Sequence, residues 1–261
     1  MLRAVLERLA KGEISIDEAE KLLRVTAIAE VGEIARLDVN REMRKGFPEI
    51  VLAEGKRLED LAEIALKILE TRGRVIISRV TGEQVKAIKK IVPNGSELQL
   101  NERARMIILK RKDFETDKTG GKIGILTAGT SDLPVAEEAR VVAEEMGCEV
   151  ATAFDVGVAG IHRLFQPLSE MIKRDVDVIV VVAGREGALT SVVAGMIDLP
   201  VIGVPTSMGY GFGEKGVSAL MAMLQACSLG IAVVNIDAGV AAGAIAALIA
   251  NRIAKARKSK G

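Results

Sequence analysis

Residues 176–210, VDVIVVVAGREGALTSVVAGMIDLPVIGVPTSMGY, decide the fold class of this chain. The segment Val176–Val182 is rich in β-branched residues and predicts a strand that is covered on both faces. A helix of small residues, Thr190–Ile197, and a second apolar strand, Val201–Val204, follow it. Each strand ends in a polar loop that contains glycine. Open parallel sheets bind ligands at the carboxyl ends of their strands, so the functional site is expected at this edge, here called the carboxyl rim.

Composition limits the functions that this chain can have. Its 261 residues, 49% of them apolar, can fill one large core or two ordinary ones. A net charge of +1 and 2% aromatic residues argue against nucleic acid as a partner. The amino end has no secretory pattern, and no uninterrupted apolar stretch of about 20 residues indicates a membrane span. Two cysteines do not make a disulfide framework, and we expect a cytoplasmic protein with no membrane partner.

The polar, turn-rich segment Asp113–Gly121 divides the sequence into an α+β domain, residues 1–117, and an α/β domain, residues 118–261. Ser15 and Glu18 have the spacing of a helix capping box. The polar segment Asp38–Glu49 is either a solvated loop or a surface that contacts the active site. Strands are predicted at 35–38, 49–53, 74–78, 105–109, 122–127, 148–155, 176–182, 201–204 and 232–236. Helices are predicted at 58–70, 82–91, 135–145, 161–174, 190–197, 218–226 and 241–255, after two at the amino end.

The first strand of the second domain ends in Gly129, Thr130, Ser131 and Asp132, and Pro134 suits the first turn of the helix that follows. Hydroxyls and backbone N–H groups at a helix N-terminus can bind a phosphate. The alternative is that Ser131 or Asp132 only caps the helix. The segment is neither a P-loop nor a dinucleotide GxGxxG motif.

The second strand of that domain leads into Asp155 and then into His162 and Arg163. His162 is the chain's single histidine, which leaves a structural role and a role in the site both open and excludes a cluster of histidine metal ligands. Arg163 has the forked guanidinium that suits phosphate. These residues are expected at the carboxyl rim.

Further candidates follow the later strands. Glu186 is either a solvated loop acid or a functional acid, base or ligand anchor. Asn235 and Asp237 end the last strand and again point to the carboxyl rim. Composition alone favours inert packing for Cys227, and Cys148 is interpreted as an ordinary residue at the start of a strand.

Five motifs in this order resemble the LarB family, the carboxylase/hydrolase of nickel-pincer nucleotide biosynthesis. They are GTSD (129–132), DVGVAGIHR (155–163), AGREGALTSVVAG (183–195), VPTSMGYG (204–211) and NIDAG (235–239). Residues 122–254 also resemble, less closely, the PurE-type aminoimidazole ribonucleotide carboxylases and mutases. ISIDEAEKLL and RLDVNREMRKGFPEIVLAEGK in the first domain are LarB-like. The resemblance implies an α/β fold in which a PurE-like three-layer parallel sheet domain is preceded by a smaller α+β N-terminal domain.

The resemblance also implies a reaction. Nicotinic acid adenine dinucleotide would be carboxylated on its pyridinium ring by carbon dioxide or bicarbonate, and its phosphoanhydride would be hydrolysed to release AMP. Cys227 matches the family's nucleophile, and a thiolate at the carboxyl rim would make the ring electron-rich. Glu186 is the first candidate for acid–base chemistry, with His162 and Asp237 behind it. Phosphates would be held by Thr130, Ser131, Asp132 and Arg163.

Further substrate contacts are expected from neighbours of these residues at the carboxyl rim. They are Gly129, Asp155, Gly184, Arg185, Gly187, Ala188, Thr206, Ser207, Gly209, Asn235 and Asp237. A magnesium ion is expected on the pyrophosphate, with ligands that the sequence does not identify. The Ala/Gly-rich last helix and the octamers of the related fold predict a homo-oligomer. Two alternatives remain: a PurE-type carboxylase or mutase acting on a purine ribonucleotide, and a non-catalytic nucleotide-binding sensor.

Overall fold

A computed structural model describes residues 2–23, 28–31, 35–38 and 45–259 of the protein. Residues 39–44 of the polar segment singled out above lie outside this description. The chain divides into two compact units. The first comprises Met1–Leu100 and Arg105–Phe114, and the second comprises Asn101–Ala104 and Glu115–Gly261.

The first unit begins with two helices, α1 (Leu2–Ala10) and α2 (Ile16–Leu23). The predicted capping box is confirmed: the Ser15 N–H donates to Glu18 Oε2 at 2.9 Å, and the Glu18 N–H donates to Ser15 Oγ at 3.2 Å. An antiparallel pair follows, formed by β1 (Ile28–Val31) and β2 (Ala35–Asp38). The sequence analysis predicted β2 but not β1.

A four-stranded sheet and two helices follow in the described part of the first unit from residue 50 onward. The sheet has the order β3-β4-β6-β5 and consists of β3 (Ile50–Leu52), β4 (Arg74–Ser78), β5 (Ser96–Asn101) and β6 (Met106–Arg111). Helices α3 (Leu58–Arg72) and α4 (Gly82–Ile91) pack on it, and residues such as Leu61, Ile77 and Ile107 form its core. The predictions for β3, β4, β6 and both helices agree to within a few residues, whereas β5 was not predicted.

The second unit contains a five-stranded parallel sheet with the order β11-β10-β9-β7-β8. Its strands are β7 (Lys122–Thr127), β8 (Glu149–Ala153), β9 (Val178–Ala183), β10 (Val201–Pro205) and β11 (Ile231–Val233). The helices are α5 (Leu133–Glu145), α6 (His162–Lys173), α7 (Ala188–Ala194), α8 (Val217–Leu224) and α9 (Gly239–Lys258). This confirms the predicted α/β class.

Helices cover both faces of this sheet. Ile179 and Val181 project to one face, where they share a core with Leu164 of α6, Leu189 of α7 and Met223 of α8. The alternate residues of the strands project to the other face, where α5 and α9 pack. Strand β9 is buried throughout, as its predicted position in the middle of a covered sheet requires.

The start of β9 differs from the prediction. The predicted strand began at Val176, but the ladder begins at Val178. The buried side chain of Asp177 accepts a hydrogen bond of 2.8 Å from the Lys122 N–H and forms an ion pair with Arg257. This carboxylate therefore anchors the strand from outside the ladder.

Helices α5 and α9 approach each other closely because α9 presents glycines to α5. A Cβ atom on Gly239 would lie 2.2 Å from the Val135 carbonyl oxygen, and one on Gly243 would lie 2.4 Å from that of Ala139. The glycine face of α9 is thus covered by the same chain, and the predicted homo-oligomer must rest on other grounds. By length and composition α9 could cross a membrane, but core helices pass the same test, so this is weak support for a span.

Candidate functional site

A cavity of about 460 Å³ opens at the carboxyl rim of the parallel sheet. The loops after β7, β8, β9 and β10 form it, as expected for a parallel sheet. Ten of the predicted site residues line the cavity: Gly129, Ser131, Asp132, Asp155, Arg163, Gly184, Arg185, Glu186, Ala188 and Gly209. Thr130, Gly187, Thr206, Ser207, Asn235, Asp237, His162 and Cys227 do not.

A second cavity, of about 690 Å³, lies in the first unit beside α3. Its lining includes Glu63, Lys67, Arg111 and Asp113, and no predicted site residue belongs to it. The Lys67 and Arg111 side chains are paired with Glu70 and Asp113, respectively. Ten predicted site residues line the smaller cavity at the carboxyl rim, which is therefore the candidate site.

Asp132 is a buried carboxylate at the floor of the cavity. Its Oδ1 accepts a hydrogen bond of 2.7 Å from the buried Thr206 hydroxyl, and its Oδ2 accepts one of 2.9 Å from the Gly129 N–H. Burial raises the pKa of Asp132, and these two hydrogen bonds oppose the rise. Both oxygens bind protein donors, and a carboxylate repels a phosphate. The Asp132 side chain therefore orders the loop without a cap bond to α5, while Gly129 and Ser131 face the cavity.

Arg163 and Asp155 form an ion pair at one side of the cavity. Asp155 follows β8 with a left-handed backbone, φ +57°, and its N–H donates to the Thr127 hydroxyl at 3.0 Å. Arg163 lies in the first turn of α6, where its guanidinium can meet both Asp155 and an anion in the cavity. His162 is the first residue of α6, but it is exposed and does not line the cavity.

The opposite side of the cavity is the loop Gly184–Gly187. A Cβ atom on Gly184 would lie 2.3 Å from the Met208 carbonyl oxygen, so this loop packs tightly on the loop after β10. Arg185 has φ +53°, and its guanidinium lies over the Tyr210 ring, 4.6 Å from the centroid. Glu186 is exposed at the mouth of the cavity, where its carboxylate is available to a bound ligand.

Ser207, Asn235 and Asp237 support the site from behind the cavity. Asp237, with φ +54°, accepts a hydrogen bond of 2.8 Å at Oδ1 from the Ser207 N–H. Asn235 Oδ1 accepts one of 2.8 Å from the Ile236 N–H. The Ser207–Asp237 bond connects the loops after β10 and β11, whereas the Asn235 bond is local to its own loop.

Cys227 lies away from the carboxyl rim, towards the amino ends of the strands. Helix α8 returns from the carboxyl rim to the start of β11, as a crossover between parallel strands must. Shortly after Cys227, the Gly230 carbonyl accepts a hydrogen bond of 2.9 Å from Val201, the first residue of β10. The hydroxyl of Ser228, next to Cys227, donates to the Ser191 carbonyl inside α7 at 2.8 Å. Cys227 therefore does not line the cavity of its own chain, and its predicted position at the carboxyl rim is not met within a single chain.

The two cysteines differ in accessibility. Cys227 is exposed, next to the exposed apolar side chains of Met221, Leu224 and Leu229. Cys148 is buried, its thiol donates to Asn251 Oδ1 at 3.1 Å, and burial raises its pKa to about 11. Of the two thiols, only that of Cys227 can reach a ligand.

The described residues do not provide a metal site of their own. Among them, no group of three or more His, Cys, Asp or Glu side chains could hold a metal ion. A magnesium ion at this site would therefore take most of its ligands from phosphates and water, as magnesium often does.

The sequence analysis missed several residues that line the cavity, above all Met208 and Tyr210. Both belong to the motif VPTSMGYG, and Tyr210 is the chain's single tyrosine. Tyr210 lies between two glycines in a chain with only 2% aromatic residues, and this pattern could have marked it as a candidate site residue. Ala128, Gly157, Val158, Ala159, Ala183 and Leu189 contribute small or apolar surface that carries no such signal.

Fold and site define a PurE-like enzyme of the carboxylase/mutase class. The family model described as AIR carboxylase matches residues 122–260, and the model described as LarB/PurE-like N-terminal domain matches residues 28–112. The chain therefore belongs to the LarB family and has a PurE-like C-terminal domain.

Individual relatives agree with this assignment. An uncharacterized protein of Methanocaldococcus jannaschii is 47% identical over 251 residues, which are 95% of this chain and 96% of that protein. The N5-carboxyaminoimidazole ribonucleotide mutase of Thermotoga maritima is 30% identical over 133 residues, 49% of this chain and 74% of the enzyme. The phosphoribosylaminoimidazole carboxylase of Candida albicans is 33% identical over 153 residues, 57% of this chain and 25% of that enzyme.

Proposed function

We propose that the protein carboxylates the pyridinium ring of nicotinic acid adenine dinucleotide and hydrolyses the phosphoanhydride. The products would be pyridinium-3,5-biscarboxylic acid mononucleotide and AMP. The observation that carries the proposal is the single cavity that Arg163, Arg185 and Glu186 line together at the rim of a PurE-like sheet. Two cations suit the phosphates and carboxylates of such a substrate, and an exposed acid suits proton transfer.

The carboxylation needs a nucleophile, because a pyridinium ring is too electron-poor to attack carbon dioxide. Addition of the Cys227 thiolate to the ring carbon beside the reacting one gives an enamine. The enamine carbon forms a bond to carbon dioxide. Glu186 then takes the proton from that carbon, and the electron pair of the ring nitrogen expels the thiolate. Overall one C–H bond becomes a C–carboxylate bond with release of a proton, and no electrons are gained or lost.

Within one chain, Cys227 does not line the cavity, so we infer that the reaction uses the thiol of a second copy. The surface around Cys227 supports such a contact, because Met221, Leu224 and Leu229 expose large apolar side chains beside it. A homo-oligomer in which this surface covers the rim of a neighbour would complete the site. The octamer of the related fold is one assembly that could do so.

The hydrolysis needs binding of the two phosphates. Arg163 is the charged donor at one side of the cavity, and Ser131 adds a hydroxyl group. A magnesium ion carried by the pyrophosphate would neutralise charge there. This proposal places the enzyme in the cytoplasm, where dinucleotide and bicarbonate are available.

The direct test is to incubate the protein with nicotinic acid adenine dinucleotide, magnesium and ¹³C-bicarbonate. Mass spectrometry should find AMP and a labelled dicarboxylate mononucleotide. Absence of both products from the wild-type protein would overturn the function. Cys227→Ala should give no carboxylated product, whereas the matched variant Cys148→Ala should retain it, because Cys148 is buried and far from any ligand. Equal yields from Cys227→Ala would remove the thiol mechanism alone.

A second candidate function is carboxylation or carboxyl transfer on a purine ribonucleotide, which the mutases and carboxylases among the relatives favour. Incubation with N5-carboxyaminoimidazole ribonucleotide, with chromatographic separation of the isomeric product that carries the carboxylate on carbon, distinguishes the two. Turnover of this compound without turnover of the dinucleotide would select the second candidate.

A further inference from the structure

Tyr210 is an exposed aromatic residue at the mouth of the cavity. The residue is 78% exposed, and it follows β10 in a loop that also contains Met208 and Gly209. The Arg185 guanidinium lies over its ring, 4.6 Å from the centroid. One face of the ring therefore already binds a planar cation.

This contact is electrostatic. The face of an aromatic ring carries negative potential, and it attracts a cation at this distance. A guanidinium is flat and its charge is delocalised, so it resembles an aromatic cation in shape and charge. The surface that accepts Arg185 can accept a flat cationic ring in the same way.

We propose that the face of Tyr210 is the seat of the substrate's pyridinium ring, and that Arg185 exchanges with the ring there. The inference rests on the proposed function and assigns the part of the site that recognises the ring. Once displaced, the guanidinium is free to pair with a carboxylate of the ring, a geometry that arginine favours. Glu186, the next residue, lines the same cavity and is the candidate proton acceptor.

The backbone of Arg185 is suited to such an exchange. Its N–H donates to the Met208 carbonyl at 3.3 Å, and its carbonyl accepts a hydrogen bond of 2.7 Å from the Ser218 hydroxyl. These two contacts hold the main chain at φ +53°. The side chain can therefore change partner while the loop stays in place.

The ring's charge changes during the reaction, which gives the seat a defined kinetic role. Substrate and product carry a pyridinium cation, whereas the enamine formed by thiolate addition is an uncharged ring. Tyr210 thus stabilises the bound substrate and product more than the intermediate. Loss of the aromatic ring should raise KM and leave kcat unchanged or higher.

The protein has one tyrosine and no tryptophan, so its tyrosine fluorescence reports on Tyr210 alone. Titration with nicotinic acid mononucleotide should quench this emission saturably. AMP, which has no pyridinium ring, should quench it much less at the same concentration. Free tyrosine amide gives the collisional baseline, which is linear in concentration. Quenching that is only linear, or equal quenching by AMP, would overturn the inference.

Variants provide the second readout. Tyr210→Leu should raise the calorimetric Kd of nicotinic acid mononucleotide roughly 3- to 30-fold, and Tyr210→Phe should keep it near the wild-type value. Circular dichroism and melting temperature confirm that both variants fold. An unchanged Kd in Tyr210→Leu would contradict the seat.

The two hypotheses can fail separately. If the dinucleotide is turned over but Tyr210→Leu has the wild-type KM, the seat is wrong and the proposed function stands. If the dinucleotide is not turned over but nicotinic acid mononucleotide quenches saturably, the proposed function is wrong and the seat stands.

Discussion

The hydroxyl of Thr206 donates a hydrogen bond of 2.7 Å to the buried carboxylate of Asp132, across the end of β9. Thr206 follows β10 and Asp132 lies in the loop after β7, and these two strands flank β9 in the sheet. Gly184, directly after β9, leaves room for this hydrogen bond because it has no side chain. A Cβ atom on Gly184 would lie 2.7 Å from the Thr206 hydroxyl oxygen. This bond therefore connects the two loops that form the floor of the cavity.

Removal of the hydroxyl should destabilise the protein. Thr206→Val keeps the shape of the side chain but leaves Asp132 Oδ1 without its donor, and we expect a loss of about 1–3 kcal/mol in the free energy of unfolding. Urea denaturation measures this loss. Thr206→Ser is the matched control, because it retains the hydroxyl. Equal loss in both variants would show that packing of the methyl group, rather than the hydrogen bond, is responsible.

Asp132 should also give stability a specific pH dependence. Burial raises its pKa above 3.8, so the folded state prefers the protonated acid. Its stabilising contribution is complete below pH 3.8 and decreases as the pH rises through the raised pKa. Asp132→Asn cannot ionise, so its stability relative to wild type should increase between pH 4 and pH 7. Denaturant melts of both proteins across this range test the prediction, and a constant difference would contradict it.

If Cys227 acts in the cavity of a second copy, two inactive variants should complement each other. Cys227→Ala lacks the thiol, and Glu186→Gln lacks the acid at the cavity. Co-expression should produce mixed oligomers, some of whose sites contain both a native thiol and a native acid. We expect up to about a quarter of wild-type activity from random mixing of equal amounts. No recovery, despite mass-spectrometric proof of mixed oligomers, would place thiol and acid on the same chain.

The close contact between α5 and α9 predicts a marked effect of side chains at Gly243. Gly243→Val places atoms against the Ala139 backbone, and we expect a loss of about 1–3 kcal/mol in the free energy of unfolding or a displaced helix. Ala241→Val is the control, because Ala241 is exposed on the same helix. Thermal melts should separate the two variants. Similar melting temperatures would mean that the helices adjust without strain.

Sequence predicted the parallel sheet well because its signals are local. The apolar segments of β7 and β10 lie between turns, so their bounds came out nearly as the structure has them. Strand β5 was missed because SELQLN is polar and half exposed, and its stability comes from its partner β6 rather than from its own residues. The predicted start of β9 was two residues too early for a similar reason. Asp177 lies outside the ladder because of its contacts with Lys122 and Arg257, which are distant in sequence.

The site could be predicted only where position along a strand fixes position in space. Residues directly after β7, β8 and β9, such as Ser131, Asp155 and Glu186, come together because parallel strands end at one edge. The location of Cys227 depends instead on the direction of α8, and its proposed role depends on a second copy. Tyr210 became a candidate only when its contact with Arg185 was seen.

Asp155, Arg185 and Asp237 follow β8, β9 and β11 with left-handed backbones that glycine would adopt more easily. Backbone conformation alone would therefore favour glycine at these three positions. Each such replacement would delete a charge from the ligand-facing loops or from their support. A more thermostable variant with glycine at one of these positions should therefore be a poorer catalyst. Retention of the charged residue at these positions would distinguish the active proteins.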